Sequence, residues 1–331
     1  MKSYAFCAAA LLLACGGAAA QSSVTIYGIA DVGFVHETGG PAGNANNISS
    51  GVGSGSRLGF KGREDLGGGT AAFFQLENGY NIDTGAAGQG GLLFGRQAYV
   101  GLSGTRWGAI SLGRQYSPLY TTLRDVVDPF EIGLSGNVTN IIPGNTRVDN
   151  MVEYKTPRYA GFAADLAYGA GEAAGDSARN RTLGAALSYV AGALNVTLAN
   201  HIKENADASD SSRYTLLVAK YKVSAFSVDV AHGLTRGLAG ARSKDDVLGG
   251  SWSDGAHTLL ASFIRHDDQS AANKDARQWA AGYLYGLSKR TDLYLSYGRI
   301  SNRNGASFTV GNGTDAGSGT TGTDIGIRHR F

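Results

Sequence analysis

Beyond residue 20 this 331-residue chain has no cysteine, because Cys7 and Cys15 are its only two. Disulfides, thiolate metal sites and a cysteine nucleophile are excluded from everything after that point. Proline is scarce, at 5 residues, and only 17% of the chain is charged, with a balance of +2. No basic excess offers itself to nucleic acid, so no nucleic-acid partner is expected. After residue 20 there is no run of about eighteen or more apolar residues, which removes a transmembrane helix. The six histidines show no metal-ligand spacing, and no Gly-x-Ser-x-Gly turn joins a strand pattern to a helix pattern. Gly169-Ala170-Gly171-Glu172-Ala173-Ala174-Gly175 has glycines like those of a dinucleotide loop, but at the wrong spacing and with no helix behind it. No cofactor and no metal are expected, and the chain does not read as an enzyme.

What it has in quantity is glycine, 50 residues, together with 16 Tyr and 12 Phe. Many tight turns and many aromatic strand positions describe an all-β chain. The first twenty residues stand apart. Lys2, the apolar residues 8–15 and the small-residue site Ala18-Ala19-Ala20 form a signal peptide over 1–20, cut before Gln21. The alternative is a lipobox, Leu12-Leu13-Ala14-Cys15, which would make Cys15 a lipidated N-terminus. The Ala-Ala-Ala site better suits the well-patterned strand that starts at Val24. Residues 21–331 contain no linker and read as one domain.

The C-terminus shows the period most clearly. Ile325, Ile327 and Phe331 share one face, and Asp324, Gly326, Arg328 and Arg330 the other. Leu293, Leu295 and Tyr297 alternate with Tyr294, Ser296 and Gly298, and Val148, Val152 and Tyr154 alternate with Arg147, Asp149, Met151, Glu153 and Lys155. About sixteen strands follow this rhythm: 24–35, 55–62, 70–80, 92–103, 107–115, 146–156, 160–168, 181–190, 193–203, 213–222, 225–234, 244–252, 257–265, 277–288, 291–300 and 322–331. Short turns alternate with long, polar, glycine-rich loops at 36–54, 81–91, 116–145, 169–180, 204–212, 235–243, 266–276 and 301–321. A soluble β-sandwich would also alternate apolar with polar residues, but its apolar side would face a packed core. One long loop after every second strand, and Arg, Asp, Glu and Lys together on one strand face, favour a transmembrane antiparallel β-barrel with a wet lumen. An even strand number puts both termini on the periplasmic side.

Four stretches carry a resemblance: Ser23-Val24-Thr25-Ile26-Tyr27-Gly28-Ile29-Ala30-Asp31, Ser56-Arg57-Leu58-Gly59-Phe60-Lys61-Gly62-Arg63-Glu64-Asp65-Leu66-Gly67-Gly68-Gly69, Phe94-Gly95-Arg96-Gln97-Ala98-Tyr99-Val100-Gly101-Leu102, and the ending Arg328-His329-Arg330-Phe331. The chain resembles the trimeric general porins of Gram-negative bacteria, β-proteobacterial branch, from Ser23 to Phe331. The resemblance implies a homotrimer, a long third loop folded into each pore, and a terminal aromatic, Phe331, read by the barrel-assembly machinery. It also implies outer-membrane lipid and lipopolysaccharide around the barrel, and small ions and polar solutes within it.

Alternation puts Arg57 and Lys61 on one face, opposite Leu58 and Phe60, so both cations are expected in the lumen. The resemblance matches Arg57, Arg96 and Arg147 to the arginines of the barrel wall at the constriction. Phe94 and Val100 share the face of Arg96, so the pattern alone does not place it. The bland alternative for each is a scattered polar residue facing water. The third loop carries Asp125, Asp128 and Glu131, expected to face the arginines across a narrow gap and set up a transverse field; otherwise they form a solvated surface patch. Asp149 and Glu153 are expected on the lumen face of Arg147. The function expected is passive diffusion through a water-filled pore, with a modest anion preference. A substrate-specific channel with a saturable anion or sugar site is the rival. An outer-membrane barrel enzyme with a Ser-His pair drawn from distant residues, or an adhesin, is a further one.

Overall fold

The computed structural model describes residues 23–331. The expected signal peptide, 1–20, and its cleavage site lie outside the described residues. Among the described residues no helix is long and apolar enough to cross a membrane. The chain instead forms seventeen antiparallel strands in a single sheet. In order they are β1 (Ser23–Gly40), β2 (Gly43–Ser50), β3 (Arg57–Gly67), β4 (Thr70–Gly79), β5 (Gln97–Gly104), β6 (Gly108–Tyr116), β7 (Arg147–Lys155), β8 (Phe162–Gly169), β9 (Thr182–Ala191), β10 (Leu194–Glu204), β11 (Ser211–Val223), β12 (Phe226–Arg236), β13 (Arg242–Asp254), β14 (His257–Asp268), β15 (Ala276–Gly286), β16 (Thr291–Asn302) and β17 (Thr321–Arg330). β2 and β3 both pair with β1, one with its second half and one with its first, so seventeen strands fill sixteen places. β17 pairs with β1 from Ile29↔Arg330 to Thr38↔Thr321 and closes the barrel. Closure leaves no exposed sheet edge.

The first long loop is corrected by the structure. Residues 36–54 are not one loop: β1 runs on to Gly40, turns, and returns as β2. Gly, Asn and Ser dominate that stretch, so no apolar face announces it. The hairpin is held by backbone pairing and by a 2.7 Å hydrogen bond between His36 Nδ1 and Asn46 Oδ1. A second correction concerns residues 92–96, which precede β5 instead of starting it.

The barrel is inside-out relative to a soluble protein. Val24, Ile26, Val100, Leu112, Leu187, Leu217, Leu248, Phe263, Leu295 and Ile325 are exposed on the outside, while Asp31, Glu77, Glu153, Asp229, Asp245, Gln278, Asp324 and Arg328 are buried within. Period-two alternation produces this by sending neighbours to opposite faces. The closing seam is sealed by the last residue. Phe331 exchanges backbone hydrogen bonds with Gly28 at 3.0 and 3.1 Å. Its ring covers that glycine so closely that a Cβ there would sit 2.2 Å from Cζ.

Between β6 and β7 the chain turns into the barrel. Ser117 caps a short helix, α1 (Pro118–Thr122), by accepting from Tyr120 N, and a π-helical turn, Leu123–Val127, follows. Leu119, Leu123, Val127 and Ile142 pack on inward-facing Ala199, Leu216, Val218, Val247 and Ile264. Phe130 packs with Leu260, Ala280 and Tyr294 farther round the wall. Ser135 donates from Oγ to Asp324 at 2.8 Å and from N to Ser296 Oγ at 3.2 Å, while Leu134 N donates to Val52 O at 2.7 Å. The loop thus spans the lumen from β6 to the closing seam. Residues 51–56 dip inward to meet it, and the last external loop joins them through Asn137 Nδ2 to Asn312 O and Gly313 N to Val52 O, at 2.9 and 3.0 Å.

Candidate functional site

The inserted loop leaves a cavity of ≈ 560 Å³ against the opposite wall, lined by six arginines, Arg57, Arg96, Arg124, Arg147, Arg328 and Arg330, and two carboxylates, Glu131 and Asp315. Strand pairing explains the crowding of cations. Arg57 of β3 and Arg330 of β17 both pair with Ile29 of β1, which lies between them. Arg96 precedes β5, and Arg147 opens β7 opposite Tyr116.

Each guanidinium is held differently. Arg57 donates from Nε to Gly55 O and from Nη2 to Ser54 Oγ, both at 2.8 Å, so the inward dip of the chain presents it. Buried Arg96 pairs through Nε with Glu77 Oε1 at 2.8 Å and reaches Tyr116 OH from Nη2 at 2.7 Å. Arg147 donates from Nε to Arg96 O at 2.9 Å and from Nη2 to the same Tyr116 hydroxyl at 3.2 Å, with Cζ 4.9 Å from the ring centroid. Among the described residues Arg57 and Arg147 make no ion pair, so each faces the cavity with no carboxylate in direct contact. Arg124 is bidentate to Asp125 at 2.6 and 3.0 Å. Arg328 and Arg330 share Asp292 at 3.0 and 2.6 Å.

The structure therefore brings Arg57, Arg96 and Arg147 together, and departs from the expectation for three other residues. Lys61 is exposed, does not line this cavity, and lies farther along β3 with Nζ 5.2 Å from the Tyr27 ring centroid. Asp128 turns its carboxylate back into its own loop, where it accepts from Phe130 N, Ile132 N and Val138 N at 2.9, 3.0 and 3.0 Å. It is a structural knot in the loop. Asp125 is matched by its neighbour Arg124 instead of opposing the wall. Glu131, exposed and with φ 54°, is the carboxylate of the expected three that stands free in the lumen. Asp149 also departs: β6 pairs Gly113 with Met151 but Gln115 with Val148, a bulge that breaks simple alternation at Asp149-Asn150. Asp149 pairs with Arg114, and Glu153 with Lys155 at 2.8 Å.

Arg124, Arg328 and Arg330 also line the cavity, and nothing in the local sequence pattern marks them as site residues. Arg328 and Arg330 already lay on the charged face of the last strand; only the closure of β17 on β1 sets them beside Arg57.

A closed barrel with an apolar exterior, a polar interior and a loop-narrowed cationic waist is a membrane-spanning diffusion channel. The chain belongs to the Gram-negative porin family, whose sequence profile matches residues 7–326. It is 31% identical to an outer membrane porin protein of Bordetella pertussis and 32% identical to outer membrane porin protein 32 of Delftia acidovorans, each match covering 98% of both chains. It is also similar to the solved anion-selective porin from Comamonas acidovorans, with a TM-score of 0.82 and 28% identity over 94% of this chain and 100% of that one. The protein is thus an outer-membrane porin, a water-filled channel for passive diffusion of ions and small hydrophilic solutes.

Proposed function

We propose that this porin works as a homotrimer with a modest anion preference, set at the waist by Arg57, Arg96 and Arg147, and that solutes leave it chemically unchanged. The observation that carries the reading is that Arg57 and Arg147 face the cavity without an ion-pair partner among the described residues, while the other four lining arginines share three carboxylates. Cations with no carboxylate in direct contact at a narrow point attract anions and repel cations. The anion selectivity named for the Comamonas acidovorans porin supports the same reading. The test is the reversal potential of single channels in planar bilayers under a salt gradient. The parent is expected to favour anions, and the Arg57→Ala, Arg147→Ala double variant to shift toward cations; an identical reversal potential in both would refute the assignment. Conductance that rises without saturation as a small organic anion is added separates a general pore from one with a specific site.

The reading includes export through residues 1–20 and assembly through Phe331. Deleting Phe331 uncovers Gly28 and removes the last pairing of the seam, so the yield of heat-modifiable trimer in the outer membrane should fall. Undiminished trimer would count against that role.

A further inference from the structure

Tyr116 is the last residue of β6, the point where the inserted loop leaves the wall. The base of the loop closes directly behind it: Ser117 N donates to Thr146 O at 3.1 Å, and Ser117 Oγ donates to Asn145 O at 2.6 Å. Its ring stacks on Tyr120 of α1 with centroids 4.7 Å apart and planes 19° from parallel. At 6% exposure the side chain is packed on its sides, and the hydroxyl is used by protein groups. Two guanidinium groups converge on it, Arg96 Nη2 at 2.7 Å and Arg147 Nη2 at 3.2 Å. A third, Arg124, has Cζ 5.3 Å from the ring centroid.

Two guanidinium groups drawn to one atom would repel each other unless something between them accepts from both. A carboxylate in that position would hold them and cancel one charge. A phenol oxygen holds them and cancels none, and the ring beneath adds a weak attraction for the cations over its face. We propose that Tyr116 is a positioning residue for selectivity: its hydroxyl is a neutral acceptor shared by Arg147 and by Arg96, whose charge Glu77 already balances, and it keeps Arg147 at the waist without adding a second carboxylate to cancel its charge. The proposal rests on the anion-favouring reading of the arginines and adds the group that makes their clustering sustainable. It also couples the loop to the wall, since the same residue anchors the loop and gathers the arginines.

The variant is Tyr116→Phe, which keeps the ring, the stack on Tyr120 and the contacts with Arg124, and removes only the shared acceptor. Its reversal potential is read beside those of the parent, of Arg147→Ala, of the Tyr116→Phe, Arg147→Ala pair and of the Arg57→Ala, Arg147→Ala pair. At about 0.1 M salt the anion-to-cation permeability ratio of Tyr116→Phe should fall roughly twofold as Arg147 relaxes outward, and at about 1 M, where screening reaches only about 3 Å, the difference should shrink toward nothing. In the Arg147→Ala background the same substitution should have a much smaller effect, because the group it positions is gone. Tyr116→Phe equal to the parent, with the double arginine variant shifted, overturns the role of Tyr116 and leaves the arginine reading standing. A shift of undiminished size at about 1 M salt overturns it too, since that reports a changed pore shape. No shift in the double arginine variant removes the reading itself and this proposal with it. If Tyr116→Phe does not assemble, Tyr116→Trp, which also lacks the acceptor but keeps an aromatic ring, is held to the same outcomes.

Discussion

Two arcs of the inner wall behave differently although both line the same barrel. On β10 to β14 the inward positions include Ala199, Leu216, Val218, Ala231, Val247 and Ile264, all buried under the inserted loop. On β17, β1, β3 and β4 the inward positions are Arg328, Asp31, Arg57 and Glu77, joined by Arg96 and Arg147 beside β5 and β7. The loop lies on the apolar arc because its own Leu119, Leu123, Val127 and Ile142 need a dry surface, and burying each such side chain is favourable by about 1.5–3 kcal/mol. The polar arc is left to water, and the pore is the space between. One arc therefore fixes where the channel runs, and the other fixes what it prefers.

The sharpest way to break this division is to put a charge in the dry arc. Leu216→Asp should lift the loop from its bed, since a carboxylate buried there without a partner is severely unfavourable. In channels that still fold, single-channel conductance should rise well above the parent and the ion preference should weaken. Unchanged conductance would mean that Phe130 and Ser135, at the far end, hold the loop unaided. Asp128→Ala attacks the loop from within, leaving three N–H groups without their acceptor at a cost of about 1–3 kcal/mol for each that stays unsatisfied. The expected outcome is a lower melting temperature of the trimer and a noisier open-channel current, with the mean selectivity nearly kept. A clear shift in reversal potential would instead give Asp128 a place in the pore field.

Smaller effects sharpen the comparison. Glu131 is the loop carboxylate that stands free opposite the arginines, so Glu131→Gln should raise the anion-to-cation permeability ratio, by less than twofold at about 0.1 M salt. A fall in that ratio would reverse the assigned polarity of the waist. Lys61→Gln should do least. Four residues of strand separate Lys61 from Arg57, about 13 Å, beyond the screening length of about 8–10 Å at ordinary salt. A reversal potential displaced as far as that of the double arginine variant would show that the narrow part of the pore extends toward the short turns.

Much of this was legible in advance, and the failures are instructive. Alternation in Thr323 to Phe331 assigned both faces of the last strand correctly, because a period of two follows directly from strand geometry. It failed at Asp149, where a bulge inserts a residue that no pattern marks, and in residues 36–54, where Gly and Asn carry a hairpin whose register is set by backbone bonds. Leu216-Leu217-Val218 broke the alternation for a different reason: its inward residues are apolar because the inserted loop covers them. Asp128 has the spacing of a pore charge, but spacing along a loop does not reveal that the loop's own N–H groups claim its carboxylate.

The sequence by itself determined the all-β class, the hairpin rhythm, the outward apolar band and the two lengths of connection, because each depends on residues close together in the chain. Only the tertiary structure decided the waist. Arg57, Arg96, Arg147, Arg328 and Arg330 come from three strands and a loop end, and they meet because β17 closes on β1 and the loop after β6 occupies the far side. Closure and docking are long-range events governed by where apolar surface can be buried, and local pattern carries no record of which residues will face each other across the space that remains.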